Sequence, residues 1–259
     1  MIFFGEEYIN RSLGIIMNPK YIIKAHNVDS KKLSLSDPKT NENGGKCIYL
    51  NYNNNPIIIQ TPKVTLPYNM SIYDKGEYPK YSVEISFRDM ETNPKIQGFY
   101  ENMEKLDKLI VNTAVDNSMT WLKKKKVHQD VVSALFTTNI KLSKDKETGE
   151  LDGKYPPTMK LKLPVRDGKP GFDIYDFSKQ KLDKPLEELF VKGSTLAALI
   201  KCSGIWIISG KIYCSWTVCQ TMIDAPTTIE SYSFIDDSDD ENENDDDDDE
   251  LIESSDDDE

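Results

Sequence analysis

The sequence predicts a mainly β body, an antiparallel barrel with one long helix between its third and fourth strands, followed by a disordered acidic tail. Three stretches predict this. Residues 193–223 hold two apolar, β-prone runs joined through Ser209-Gly210, with Ser203-Gly204 breaking the first run. From Lys211 to Cys219 the pattern has a period of two: Ile212, Cys214, Trp216 and Val218 against Lys211, Tyr213, Ser215 and Thr217. Such alternation marks a half-buried antiparallel strand. Lys80 to Arg88 alternates in the same way, with Tyr81, Val83, Ile85 and Phe87 on the core side. The last 24 residues are almost purely acidic, with 17 Asp and Glu and no Lys or Arg.

That tail changes the meaning of the net charge of −12. Residues 1–235 keep 27 acids against 32 bases, a net charge of +5. The expected division is a nucleic-acid-binding domain over 1–235, including an N-terminal extension, and a tail over 236–259. The tail has Leu251-Ile252 as its one apolar spot, and its charges repel one another, so it cannot bury a core. A basic body joined to a strongly acidic tail points to a polyionic partner.

In chain order, the first stretch with strand character is Leu13 to Lys24, interrupted at Asn18-Pro19. Residues 29–46 are polar and end in Asn43-Gly44-Gly45, a loop or hairpin tip. Cys47–Tyr52 and Pro56–Gln60 are short strand candidates separated by an Asn-rich turn. Lys80–Arg88 follows. Asn93-Pro94 then opens the long helix, with Asn as cap and Pro pre-shaped for the first helical position. Ile96, Phe99, Tyr100, Met103, Leu106 and Ile110 form its apolar stripe. The helix is expected to reach about Leu122 and to meet Lys123-Lys124-Lys125-Lys126. That run is either a solvated helix end that complements the dipole or a phosphate-contacting patch. A short second helix is expected over Gln129 to Phe136. Thr158 to Leu163 reads as a strand with Lys160 and Lys162 outward, and Phe172–Ile174 could pair back with it. A helical turn is placed around Leu186–Phe190, before the closing hairpin.

Strands, a long helix and more strands is the order of an OB-fold-like barrel, a small Greek-key architecture that binds single strands and oligosaccharides. A sandwich with a helix on one face is the competing arrangement. The outward positions give one coherent set: Lys80, Arg88, Lys160, Lys162, Lys201, Lys211 and Tyr213. If the strands share a sheet, these make a basic stripe with an aromatic on it, which is how single-stranded nucleic acid is held without base reading. Trp206, beside the turn, joins the binding candidates although parity does not fix its face. Trp216 has core parity, and Trp121 could lie on either side.

Other classes find little support. There is no Walker, GxSxG or HExxH motif, so no catalytic residue is assigned and the chain is not expected to be an enzyme. Cys47, Cys202, Cys214 and Cys219 form no CxxC pair, so no metal ligand and no cofactor is assigned. Glu6 and Glu7 stand where a signal peptide would be apolar, and no run approaches a membrane span. An intracellular protein without a membrane partner is expected.

Tyr155-Pro156-Pro157-Thr158-Met159-Lys160-Leu161-Lys162 is one stretch that carries a family resemblance. Cys202-Ser203-Gly204-Ile205-Trp206, running through Gly210-Lys211 to Trp216 and Gln220, is the other. With the acidic C-terminus, they resemble the single-stranded DNA-binding proteins of nucleocytoplasmic large DNA viruses. Those are OB-fold proteins distantly similar to acidic-tailed replication proteins of some bacteriophages. The likeness spans residues 55–223. The phage tails end in an aromatic residue, whereas this chain ends in Asp-Asp-Asp-Glu. The resemblance implies sequence-independent coating of single-stranded DNA in viral DNA replication, recombination or repair. It implies a viral replication site in the host cytoplasm or nucleus, and recruitment of polymerase or helicase-primase through the tail. A homodimer stays open. The alternative function is an acidic-tailed chaperone or DNA mimic that binds histones or other basic proteins, for which a basic stripe would serve no purpose.

Overall fold

The computed structural model describes residues 8–10, 15–17, 19–42 and 44–226. The chain divides into two units, Met1–Pro226 and Thr227–Glu259, and every described residue belongs to the first. The expected tail, 236–259, therefore lies outside the described residues, as do Leu13, Gly14, Asn18 and Asn43.

A sheet of 13 strands dominates the described residues. Its strands are β1 (Ile22–Lys24), β2 (Lys39–Thr40), β3 (Lys46–Ile48), β4 (Ile58–Gln60), β5 (Val64–Thr65), β6 (Ser71–Tyr73) and β7 (Lys80–Ser86). After the helical segment come β8 (Phe136–Thr137), β9 (Ile140–Lys141), β10 (Thr158–Leu163), β11 (Asp173–Tyr175), β12 (Thr195–Ile208) and β13 (Lys211–Asp224). The main path runs β6-β7-β10-β13-β12-β3-β2.

The path does not return on itself, so the expected closed barrel is replaced by an open sheet. The expectation of purely antiparallel pairing is also corrected, because β8, β10 and β11 each pair with β13 in parallel. Parallel neighbours require crossovers, and the chain between each of these strands and β13, which includes β12, supplies them. Seven strands of the sheet precede the long helix, not three. Phe172–Ile174 does not fold back on β10. Instead, Asp173, Ile174 and Tyr175 pair with Gln220, Thr221 and Met222. Ile174 is buried there, and β13 has the length to receive a further partner.

The long helix α1 (Pro94–Asp116) begins as its cap chemistry requires, with Asn93 Oδ1 accepting from Lys95 N at 3.0 Å. Ile96, Phe99, Met103, Leu106 and Ile110 recur every three or four residues and are all buried. They cover the core face of the sheet, where Phe99 meets Phe87 at 5.2 Å between ring centroids. The helical path breaks at Asn117 and resumes as α2 (Ser118–Leu122), which Lys123 ends in a left-handed conformation at φ 58°. Trp121 is buried in the same core. Helix α3 (Gln129–Leu135) leads directly into β8.

Candidate nucleic-acid interface

The β12–β13 hairpin positions the centre of the site. Ser209 and Gly210 both have positive φ, 50° and 77°, a two-residue turn whose twist suits an antiparallel hairpin. Register then places Trp206 directly opposite Tyr213. On the other side of β12, Cys47 of β3 lies opposite Trp206, and Lys39 of β2 lies opposite Cys47. Directly paired residues share a sheet face. Lys39, Cys47, Trp206 and Tyr213 therefore form one row across four strands.

This face is the outer one. Ile212, Trp216 and Val218, of opposite parity on β13, are buried in the core. The indole Nε1 of Trp216 donates to Asn139 Oδ1 at 2.8 Å. Trp206, by contrast, is half-buried. It rests beside Gly204, where a built Cβ would come within 2.7 Å of Cys47 Sγ and 3.3 Å of Trp206 Nε1. Gly204 has φ +139° and follows a bulge between Cys202 and Gly204. Glycine thus serves twice: it allows the bulge, and it leaves space for the thiol and the indole. The Tyr213 pKa is raised by burial first and by nearby Cys47 second.

Farther along the face, two lysines flank one threonine. Lys162 of β10 and Lys201 of β12 both lie opposite Thr217 of β13. Lys162 is exposed, yet desolvation where its ammonium lies against the sheet lowers its pKa first, and repulsion from Lys80 and Lys160 lowers it further. Lys160 lies opposite Glu84. That acid is engaged elsewhere: it accepts from Thr158 Oγ1 at 2.8 Å and pairs with Lys141 at 3.7 Å. Among the described residues, Lys80, Lys160, Lys162, Lys201 and Lys211 have no carboxylate at ion-pair distance. A cluster of cations without carboxylate partners favours an incoming anion.

The remaining candidates fall at the margins. Lys211 is exposed at the hairpin tip. Arg88 lies past the end of β7, away from Lys80 at its start. It lines a groove of about 550 Å³ with Lys154, Tyr155 and Pro156. The run Lys123–Lys126 is exposed beyond α2 and is not in the row. Lys46 Nζ caps that helix end through the carbonyl oxygens of Thr120 and Trp121. Lys46 points away from its neighbour Cys47, which places the run toward the helical side.

Lys39, Cys47 and Tyr49 belong to the site but carried no signal in the sequence. Tyr49 is exposed and has the Lys39 ammonium 5.2 Å from its ring centroid. Their stretch reads as a polar loop and a short apolar run, and only register across β12 brings it beside Trp206. No cluster of three or more His, Cys, Asp or Glu that could hold a metal occurs among the described residues. No helix among them is long and apolar enough to cross a membrane.

No family model matches the chain. A mimivirus protein of Acanthamoeba polyphaga mimivirus, described as uncharacterized protein L291, is 26% identical over 174 residues, covering 63% of this chain and 25% of its own length. The chain thus spans about a quarter of that relative. Among solved structures, bacteriophage T7 gp2.5, a single-stranded DNA-binding protein, is similar at a TM-score of 0.43 and 14% identity, over 68% of this chain and 98% of its own. The single-stranded DNA-binding protein of bacteriophage Enc34, in complex with single-stranded DNA, is similar at 0.41 and 12% identity, over 78% and 100%.

Proposed function

We propose that this protein binds single-stranded DNA without base preference. The carrying observation is the face just described: Trp206 and Tyr213 side by side, with unpaired lysines on the same face of the sheet. Aromatic rings offer every base a stacking surface, at about 1–3 kcal/mol per base, and the lysines meet the phosphates. Duplex DNA hides its base faces, so the aromatic row favours single strands. The resemblance carried by residues 155–162 and 202–220 supports a place in viral DNA replication, recombination or repair. The acidic segment 236–259 would compete with DNA for the lysines and dock replication proteins. An acidic-tailed chaperone for basic proteins would draw no benefit from this basic face.

The test is fluorescence anisotropy with labelled single- and double-stranded oligonucleotides over a salt series. Preference for the single strand is expected, with a log–log salt slope of about −0.7 per phosphate contact. Equal affinity for duplex, or binding insensitive to salt, would overturn the reading.

A further inference from the structure

We infer that the bound strand runs obliquely across the sheet, from the Trp206–Tyr213 pair to a second aromatic platform at Tyr73. This rests on the single-strand reading above and adds a contact residue and a direction to it. The face is continuous by register. Thr217 lies opposite Lys162, Lys162 opposite Ser82, and Ser82 opposite Ser71. Tyr213 and Thr217 share a face of β13 by parity, because the extra residue of the bulge that falls between them, Ser203, is on β12. Two residues beyond Ser71, Tyr73 lies directly opposite Lys80. Tyr73 and Lys80 therefore place an aromatic ring directly opposite a cation at the far edge of the face.

Tyr73 is 54% exposed. Its ring makes no aromatic or cation contact among the described residues. No core requirement explains a tyrosine there. Along the path stand Lys160 and Lys162 as phosphate partners, with Ser82 and Thr217 buried in the sheet between them, and one acid, Glu84, lies opposite Lys160 and is engaged by Thr158 and Lys141. Lys80 and Lys160 add to the positive field around Lys162.

Thr217 and Ser71 are three strand spacings apart, about 14 Å. Tyr213 lies four residues along β13 from Thr217, and Tyr73 two residues along β6 in the opposite sense. At about 3.3 Å per residue, the platforms are separated by roughly 24 Å along the sheet. A tetranucleotide stacked at about 3.4 Å per phosphate reaches one platform, and a 15-mer reaches both.

The experiment uses the full chain with dT4 and dT15. Tyr73→Ala is expected to weaken dT15 binding about five-fold or more and to leave dT4 binding unchanged, with Tyr73→Phe restoring the affinity. A dT15 carrying one 5-iododeoxyuridine near one end should photocrosslink to the peptide containing Tyr73. With the label near the other end, crosslinks should go to the peptides containing Trp206 or Tyr213. If the intact protein does not bind single strands, the parent reading fails. If it binds, Trp206→Ala weakens it, and Tyr73→Ala changes neither dT15 affinity nor crosslinking, the oblique path is wrong. The exposed edge strand β6 would then be a surface for another protein.

Discussion

Asn139 joins Trp216 to Asp107. Its Oδ1 accepts from the Trp216 indole at 2.8 Å, its backbone N–H donates to Asp107 Oδ2 at 2.9 Å, and its amide Nδ2 donates to Asp107 Oδ1. The long helix is thereby tied through the 136–141 segment to the strand that carries Tyr213. Burial pushes the Asp107 carboxyl up to about 7, from an ordinary 3.8, against the two hydrogen bonds from Asn139.

This predicts a pH dependence of stability. Between about pH 4 and 7 the folded state holds a proton on Asp107 that the unfolded chain releases. Stability from this group is therefore greatest at the acid end and falls as pH rises toward 7, then levels. The shift sets an upper bound of roughly 4 kcal/mol. Thermal melting from pH 5 to 8 should show a shallower pH slope in Asp107→Asn than in the parent. Identical slopes would mean that the carboxylate is well solvated.

How much was legible follows from which residues carry local signals. Parity along β7, β10 and β13 correctly separated Trp216 from Tyr213, because a period of two survives wherever one face is dry. The Asn93-Pro94 start of the helix was legible for its cap chemistry. The open sheet was not, since nothing in Asp173–Tyr175 distinguishes a parallel partner on β13 from an antiparallel one on β10. The contribution of Lys39, Cys47 and Tyr49 was equally hidden. It depends on pairing across more than 150 residues, and short apolar runs do not encode their neighbours.

The two tryptophans of the hairpin should separate binding from stability. Trp206→Ala or Tyr213→Ala should each cost about 1–3 kcal/mol of single-strand binding. The double substitution Lys160→Glu with Lys211→Glu should weaken binding strongly and leave the fold intact, since both side chains are exposed. Trp216→Ala should instead cost about 3–5 kcal/mol of stability as a core truncation. Denaturant melts alongside anisotropy titrations distinguish these. A stable Trp216→Ala with lost DNA binding would invert the assignment of the two faces.

Gly204 should tolerate no side chain. Gly204→Ala would force φ +139° on an L residue and press a methyl within 2.7 Å of Cys47 Sγ. The strain alone costs about 1–3 kcal/mol, and displacement of the Trp206 indole should lower DNA affinity as well. The double variant Gly204→Ala with Cys47→Ala removes the nearest steric contact, the one at 2.7 Å. Partial recovery of the melting temperature is expected. No recovery would locate the cost entirely in the backbone.

Ser215 lies opposite Gly204 and is buried, yet its Oγ has no hydrogen-bond partner among the described residues. Leaving a hydroxyl unpaired costs about 1–3 kcal/mol. Ser215→Ala should therefore be neutral or stabilising. Clear destabilisation in a urea melt would mean that the hydroxyl is satisfied by bound water.

Residues 236–259 carry 17 carboxylates on the same chain as a body of net +5. Covalent attachment to the same chain would raise their effective concentration for a basic face. On the proposed reading they would compete with DNA phosphates for Lys160, Lys162 and Lys201, and the intact protein would have to displace its own segment before binding. Deleting 236–259 is expected to leave a folded body that binds single-stranded DNA more tightly. The advantage should shrink as salt rises, because both attractions are screened. On coated DNA the segment would be released and free to meet replication proteins. Intact and truncated chains are titrated against one labelled oligonucleotide at low and high salt. Unchanged or weaker binding by the truncated chain at low salt would show that the segment does not compete with DNA.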